Sequence, residues 1–203
     1  MPWSIYSSGE ARAILLWQRG KDTVLTPLTS LLASLRVSPL AVSVAGVLLA
    51  FSGALLAVVF DALWYLVLGI GLHLLCDALD GALARAQSGE VHRGGVLTDV
   101  CADFLVVTIV SGFLAYVYPF DAVLPLVFSS LYGVLLALLL VSSAMGRPMP
   151  WVIRPRILLY LVLTLDALFG MGWTMRVLFV LTCIVGLEVL LALRHVAIDD
   201  RKR

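Results

Sequence analysis

Residues 76–103 read CDALDGALARAQSGEVHRGGVLTDVCAD and connect two apolar runs of the chain. Asp77 and Asp80 lie three residues apart near the end of the first run, and Asp99 and Asp103 lie four residues apart near the start of the second. Because side chains three or four positions apart share one face of an α-helix, each pair predicts a helical face that carries two carboxylates. The stretch therefore predicts two consecutive helices whose adjoining ends carry four carboxylates.

The composition of the whole chain is that of a membrane protein. Of the 203 residues, 62% are hydrophobic and only 13% are charged, whereas an ordinary soluble domain has about 25% charged residues. The net charge of +1 and the lack of a long basic run give no indication of nucleic acid binding. The three cysteines have no CxxC spacing and are interpreted as small apolar residues.

Membrane spans are predicted from apolar runs of about 20 residues, because lipid offers the backbone no hydrogen-bond partners and a helix satisfies its own. The sequence predicts six such spans, over residues 40–60, 62–84, 95–117, 123–145, 154–171 and 173–194. With these spans, thirteen of the fourteen Lys and Arg residues lie on one side of the membrane and only Arg176 on the other. This bias predicts a multi-pass protein of the cell membrane with both termini in the cytoplasm.

The segment before the first span, residues 1–36, is only moderately apolar, with leucines at helical spacing among basic residues. It predicts one or two amphipathic helices on the cytoplasmic membrane surface. The alternative is a short extra span over residues 24–37, which would disturb the distribution of charge. The predicted organisation is an interfacial segment over 1–36, a six-helix transmembrane catalytic domain over 37–195 and a cytoplasmic tail over 196–203. The fold class is an all-α membrane protein with six transmembrane helices preceded by a surface helix.

The carboxylates at the two helix ends predict a metal site. A charged group inside a span costs about 3 kcal/mol on insertion scales, and Arg85 alone cannot balance four acids, so cations are needed. Hard oxygen ligands suit Mg²⁺, and Mn²⁺ as a similar ion; two ions are expected. Gly81 has no side chain and would let a ligand approach the backbone, and the small Ala84 keeps the same helical face open. The planar guanidinium group of Arg85 could bind a phosphate or the edge of a nucleobase. Two metals on a diphosphate would favour attack at phosphorus, and a carboxylate could take the proton of the attacking hydroxyl.

This stretch resembles the motif D-x2-D-G-x2-A-R-x8-G-x3-D-x3-D of the CDP-alcohol phosphotransferases. The matching positions are Asp77, Asp80, Gly81, Ala84, Arg85, Gly95, Asp99 and Asp103. Nine residues separate Arg85 from Gly95 where the family pattern has eight, and choosing Gly94 instead leaves four residues before Asp99. We expect a bulge in this loop with activity retained. Many relatives also open the first span with Pro-Asn and a nearby Thr; this chain has Pro39-Leu40 and Ser43, so the asparagine contact is not carried over.

The resemblance covers nearly the whole chain and implies an activity. A phosphatidyl-type group would pass from a CDP-activated lipid to an alcohol, with release of CMP, in phospholipid biosynthesis. Asp77, Asp80 and Asp99 would bind the metals, and Asp103 would complete the site and act as general base. Gly81, Ala84 and Arg85 would contact the CDP moiety. A homodimer is expected from the resemblance alone.

Three arginines of the fourth loop, Arg147, Arg154 and Arg156, are candidates for binding the acceptor. The run Arg154-Pro155-Arg156 resembles a segment of family members that use phosphorylated acceptors. It predicts a phosphorylated polyol such as glycerol 3-phosphate or an inositol phosphate. The alternative is that these arginines only follow the positive-inside rule and meet lipid phosphates, in which case the acceptor is a free alcohol.

Two other functions use acidic clusters in membranes. Intramembrane prenyltransferases carry their two aspartate motifs in distant parts of a longer bundle, whereas Asp77 and Asp103 are 26 positions apart. Cation transporters place carboxylates near the bilayer midplane, often with inverted repeats. The present cluster lies at the predicted cytoplasmic ends of two spans, and the sequence has no convincing repeat, so both alternatives are disfavoured.

Overall fold

The computed structural model describes residues 11–88, 93–146, 149, 152–153 and 155–200. Within these residues the secondary structure is helical and contains no strand. The helices are α1 (Ala11–Ser34), α2 (Pro39–Val59), α3 (Leu63–Ser88), α4 (Arg93–Val117), α5 (Val123–Ala144), α6 (Pro155–Phe169) and α7 (Thr174–Asp200), with a 3₁₀ turn at Pro119–Asp121. The predicted all-α class is confirmed.

Five of the described helices, α2, α3, α4, α5 and α7, are long and apolar enough to cross a membrane. The predicted fifth span, 154–171, is shorter than expected, because α6 has only 15 residues. At 1.5 Å per residue it is about 22 Å long, against a hydrocarbon core of about 30 Å. The helix begins at Pro155 and ends where Gly170 adopts a left-handed conformation with φ of 61°. The described helices therefore support a multi-pass membrane protein without establishing six full-length spans.

The chain forms two compact units, divided between Val106 and Val107. In the unit before this division, α2 packs closely on α3, and α1 also packs on α3. In the unit after it, α5 and α6 each pack on α7. The four aspartates of the motif all belong to the first unit.

Helix α1 contributes one apolar face to the first unit. Leu25 and Leu32 pack against a core made by Val42, Leu79 and Leu83. Several other apolar side chains of this segment are exposed, namely Val24, Leu28, Leu31 and Leu35. The apolar part of α1, Val24–Ser34, is about 16 Å long and is too short for the alternative extra span. Placement of α1 on the membrane surface stays a prediction.

The contact between α2 and α3 depends on glycines. A Cβ atom built on Gly53 would lie 2.5 Å from the carbonyl oxygen of Tyr65 and 2.8 Å from Cα of Gly69. One built on Gly46 would lie 2.8 Å from Cβ of Cys76. The missing side chains thus let the two helix backbones approach closely, which holds the carboxylate-bearing end of α3 against the start of α2.

We expect Gly53→Ala to destabilise the protein by about 1–3 kcal/mol, the usual cost of overpacking, because the atom that its Cβ meets is backbone. Gly71→Ala is the matched control, since a Cβ there meets nothing within 4 Å. Thermal unfolding of both variants in detergent checks the prediction. Equal unfolding temperatures for the two variants would contradict the close α2–α3 contact.

Asp166 has a structural explanation. Its carboxylate accepts hydrogen bonds from the backbone amides of Trp173, at 3.1 Å, and Thr174, at 2.7 Å, and from the Thr174 hydroxyl. These amides lie at the start of α7, where helix N–H groups need acceptors from outside the helix. Asp166 therefore caps α7 from the end of α6.

Candidate metal centre

Three of the four motif carboxylates lie together. Asp77, Asp99 and Asp103 each offer an oxygen, and these oxygens all lie within 4.8 Å of one another. Asp77 comes from the second half of α3, and Asp99 and Asp103 come from the first half of α4. Asp103 is only 5% exposed, whereas Asp77 and Asp99 are half-buried. The spacing in sequence therefore does bring carboxylates of consecutive helices to one place.

These three oxygens fit a divalent cation. In an octahedral Mg²⁺ site each oxygen lies about 2.1 Å from the ion, so opposite ligands are about 4 Å apart. The separation of up to 4.8 Å is slightly wider, and small side-chain rotations would close it. The donors are all carboxylate oxygens, the type that Mg²⁺ and Mn²⁺ prefer.

Asp80 lies outside this three-carboxylate group. Its Oδ2 accepts a hydrogen bond from the hydroxyl of Ser43 on α2. The charge of Asp77 repels the Asp80 carboxylate, and Lys21 of α1 attracts it more weakly. The four aspartates thus divide into a group of three and a fourth that is held by α2.

The three residues predicted to contact CDP follow Asp80 on α3 and are all half-buried. A Cβ on Gly81 would lie 3.4 Å from Nη1 of Arg85, so the guanidinium folds back over the glycine. A side chain at position 81 would make ordinary van der Waals contact with Arg85, so the guanidinium lies beside Gly81 without requiring a glycine there. Ala84 precedes Arg85 on the same turn. In contrast, a Cβ on Gly95 would meet nothing within 4 Å among the described residues, so no contact in that part of the chain requires this motif glycine.

Of the three candidate acceptor arginines, Arg147 and Arg154 lie outside the described residues. Arg156 is in the first turn of α6 and is only 6% exposed. Just before it, the backbone amide of Ile153 donates a hydrogen bond to Oε1 of Glu188 on α7, at 2.6 Å. This contact ties the segment that leads into α6 to α7.

The fold of this chain is similar to that of proteins whose structures have been solved. Three structures of the phosphatidylinositol phosphate synthase PgsA1 of Mycobacterium tuberculosis share the fold. The form with CDP-DAG bound gives a TM-score of 0.71 at 21% identity, covering 85% of this chain and 92% of that chain. The complex with manganese and citrate gives a TM-score of 0.70 at 21% identity, covering 83% of this chain and 87% of that chain. The apo form gives a TM-score of 0.69 at 20% identity, covering 83% of this chain and 93% of that chain.

No protein-family model matches the sequence, and no curated protein does. The likeness to PgsA1 therefore lies in the fold, and it extends over most of both chains.

Proposed function

We propose that the chain is a CDP-alcohol phosphotransferase. It transfers a phosphatidyl-type group from a CDP-lipid to an alcohol with release of CMP, as a step of phospholipid biosynthesis. The observation that carries the proposal is the grouping of Asp77, Asp99 and Asp103 within 4.8 Å. The eight-position motif and the fold of an enzyme that has been solved with CDP-DAG and with manganese support it.

Divalent ions, two Mg²⁺ or Mn²⁺, would neutralise the diphosphate and the departing CMP when bound. Asp77, Asp80 and Asp99 would hold these ions, and Asp103 would complete the site. Asp103 also accepts the proton of the acceptor hydroxyl as its oxygen attacks the lipid-bearing phosphorus. The new bond joins the acceptor oxygen to phosphorus, and the bond from that phosphorus to the oxygen of CMP breaks.

Gly81, Ala84 and Arg85 form the donor side of the proposed site. Arg85 would donate hydrogen bonds from its planar guanidinium group to a phosphate or to the cytosine edge of CDP. Its position over Gly81 supports this role, because the guanidinium is already directed along the face that carries Asp77 and Asp80.

We also infer six crossings with both termini in the cytoplasm. The support is the charge distribution, since removing the α6 crossing would place Arg194 and the basic C-terminal residues opposite the other cytoplasmic arginines. A helix as short as α6 can cross where the bilayer thins locally or where flanking residues extend it. A homodimer is part of the proposal and rests on the family resemblance.

For the acceptor we propose a phosphorylated polyol, such as glycerol 3-phosphate or an inositol phosphate. The burial of Arg156 supports this choice. An arginine that only met lipid phosphates would extend its guanidinium to the membrane surface, whereas Arg156 is 6% exposed. A buried guanidinium group, which is permanently charged, is suited to binding an anionic ligand such as a phosphate.

We expect Arg156→Ala to lower kcat/KM for the acceptor about thirtyfold, which corresponds to about 2 kcal/mol for a charge-assisted hydrogen bond. The KM for the CDP-lipid should change little, because its diphosphate is held by the metals and Arg85. Arg176→Ala, at an exposed arginine of α7, is the matched control and should leave both constants unchanged. An equal rise in the KM of the donor would contradict the assignment of Arg156 to the acceptor.

The proposed function is tested by incubating the purified protein with CDP-diacylglycerol and a panel of phosphorylated and unphosphorylated polyols, with mass spectrometry of the lipid product. We expect a phosphatidyl ester of a phosphorylated polyol together with CMP. Equal use of both kinds of acceptor would overturn the acceptor assignment alone. Release of inorganic diphosphate from prenyl diphosphates instead of CMP would favour a prenyltransferase.

A further inference from the structure

Ser43 makes a contact that the motif does not include. It lies in the second turn of α2, is 6% exposed, and donates a hydrogen bond to Oδ2 of Asp80, 37 positions further along the chain. The Pro39 carbonyl oxygen is also in reach, at 3.2 Å. A serine hydroxyl has one proton to donate. Since hydrogen bonds to a carboxylate are about twice as strong as those between neutral groups, the Asp80 contact takes precedence.

The position of Ser43 is fixed by its surroundings. Helix α2 begins with Pro39, and the side chain of Ser38 caps it by accepting from the amide of Ala41 at 3.2 Å. One turn after Ser43, Gly46 lies so close to α3 that an added Cβ would be 2.8 Å from Cβ of Cys76. The hydroxyl is thus held at a defined place beside α3.

Asp80 needs such a partner more than the other three aspartates do. Asp77, Asp99 and Asp103 lie close enough to share one cation, and that cation would itself fix their orientation. Asp80 lies outside their group, so its orientation depends on other contacts. Of these, the Ser43 hydroxyl makes a direct hydrogen bond to its carboxylate.

We propose that Ser43 is a positioning residue that orients the Asp80 carboxylate for a divalent ion. This inference rests on the proposed function. Carboxylates that bind metals are themselves held by hydrogen bonds from outside the coordination sphere, and loss of such a partner lowers metal affinity or activity about 10–100-fold. Ser43 plays this part from α2, a helix that carries no residue of the motif.

The test compares Ser43→Thr with Ser43→Val in the full-length protein. Threonine and valine have the same shape, so the added bulk is identical, but only threonine keeps the hydroxyl. Mn²⁺ is the probe, and its binding is measured by electron paramagnetic resonance titration without substrate. We expect Ser43→Val to bind Mn²⁺ about 10–100-fold more weakly than Ser43→Thr, with equal thermal unfolding of the metal-free variants. Ser43→Ala, which adds no bulk, should behave like Ser43→Val.

Equal Mn²⁺ affinity in the threonine, valine and alanine variants would overturn the inference, and Ser43 would then be a serine that only bonds to its own helix. The proposed function would still hold in that case if Asp77→Asn binds Mn²⁺ more weakly than wild type does. If wild type and Asp77→Asn bind Mn²⁺ equally, the metal centre itself is wrong, and the inference falls with it. The two failures are therefore distinguishable.

Discussion

Asp77→Asn should abolish CMP release, with a loss of at least about 100-fold, while the protein still folds. The substitution keeps the size of the side chain and removes a negative charge from the group formed with Asp99 and Asp103. Loss of a residue that merely supports a metal ligand already costs about 10–100-fold, so loss of a ligand should cost more. Bound Mn²⁺ should fall in parallel with turnover. Asp80→Asn should have the same effect on turnover.

Asp61→Asn is the matched control for this experiment. Asp61 is exposed between α2 and α3 and has a positive φ of 49°, a conformation that asparagine adopts as readily as aspartate. The control makes the same chemical change without touching the proposed metal centre, so activity and Mn²⁺ binding should stay at wild-type levels. Full activity in Asp77→Asn, with the control equally active, would refute the assignment of this group to catalysis.

Asp103→Asn should lose about 10²–10⁴-fold in CMP release, the usual contribution of a general base. Measurable binding of the CDP-lipid should remain, because proton transfer is needed for attack by the acceptor and not for binding of the donor. The experiment measures CMP release and binding of a CDP-lipid in the same detergent. If donor binding is lost as completely as in Asp80→Asn, Asp103 acts chiefly as a metal ligand.

The sequence predicted the features that depend on local spacing. The spacing of the aspartates predicted one carboxylate-bearing face on each of two consecutive helices, and Asp77, Asp99 and Asp103 do lie together. The same spacing placed Asp80 beside Asp77, whereas Asp80 lies outside that group and bonds to Ser43. Apolar runs of about 20 residues likewise located the five long helices. The same criterion overestimated α6, because it did not count the helix end imposed by Gly170.

Two further features, the Ser43–Asp80 hydrogen bond and the burial of Arg156, depend on contacts between residues distant in sequence. The bond from Ser43 to Asp80 requires the relative register of α2 and α3, which the close contact at Gly46 and Gly53 establishes. No local pattern specifies that register. The burial of Arg156 could not be predicted from the sequence either. The positive-inside rule and a phosphate-binding site both predict an arginine at this position, and they do not differ in sequence. In the structure Arg156 is 6% exposed, and its role in binding the acceptor is tested by Arg156→Ala.

The central claim is that the aspartate group uses divalent ions to release CMP from a CDP-lipid. The most direct measurement is CMP release from CDP-diacylglycerol by purified wild-type protein in the presence of glycerol 3-phosphate or an inositol phosphate, with Mg²⁺ or Mn²⁺ and with a chelator. We predict release that requires both the metal and the acceptor, stops on chelation and returns when the metal is restored. No CMP release with either metal and any acceptor, or release that continues unchanged in the chelator, would contradict the account.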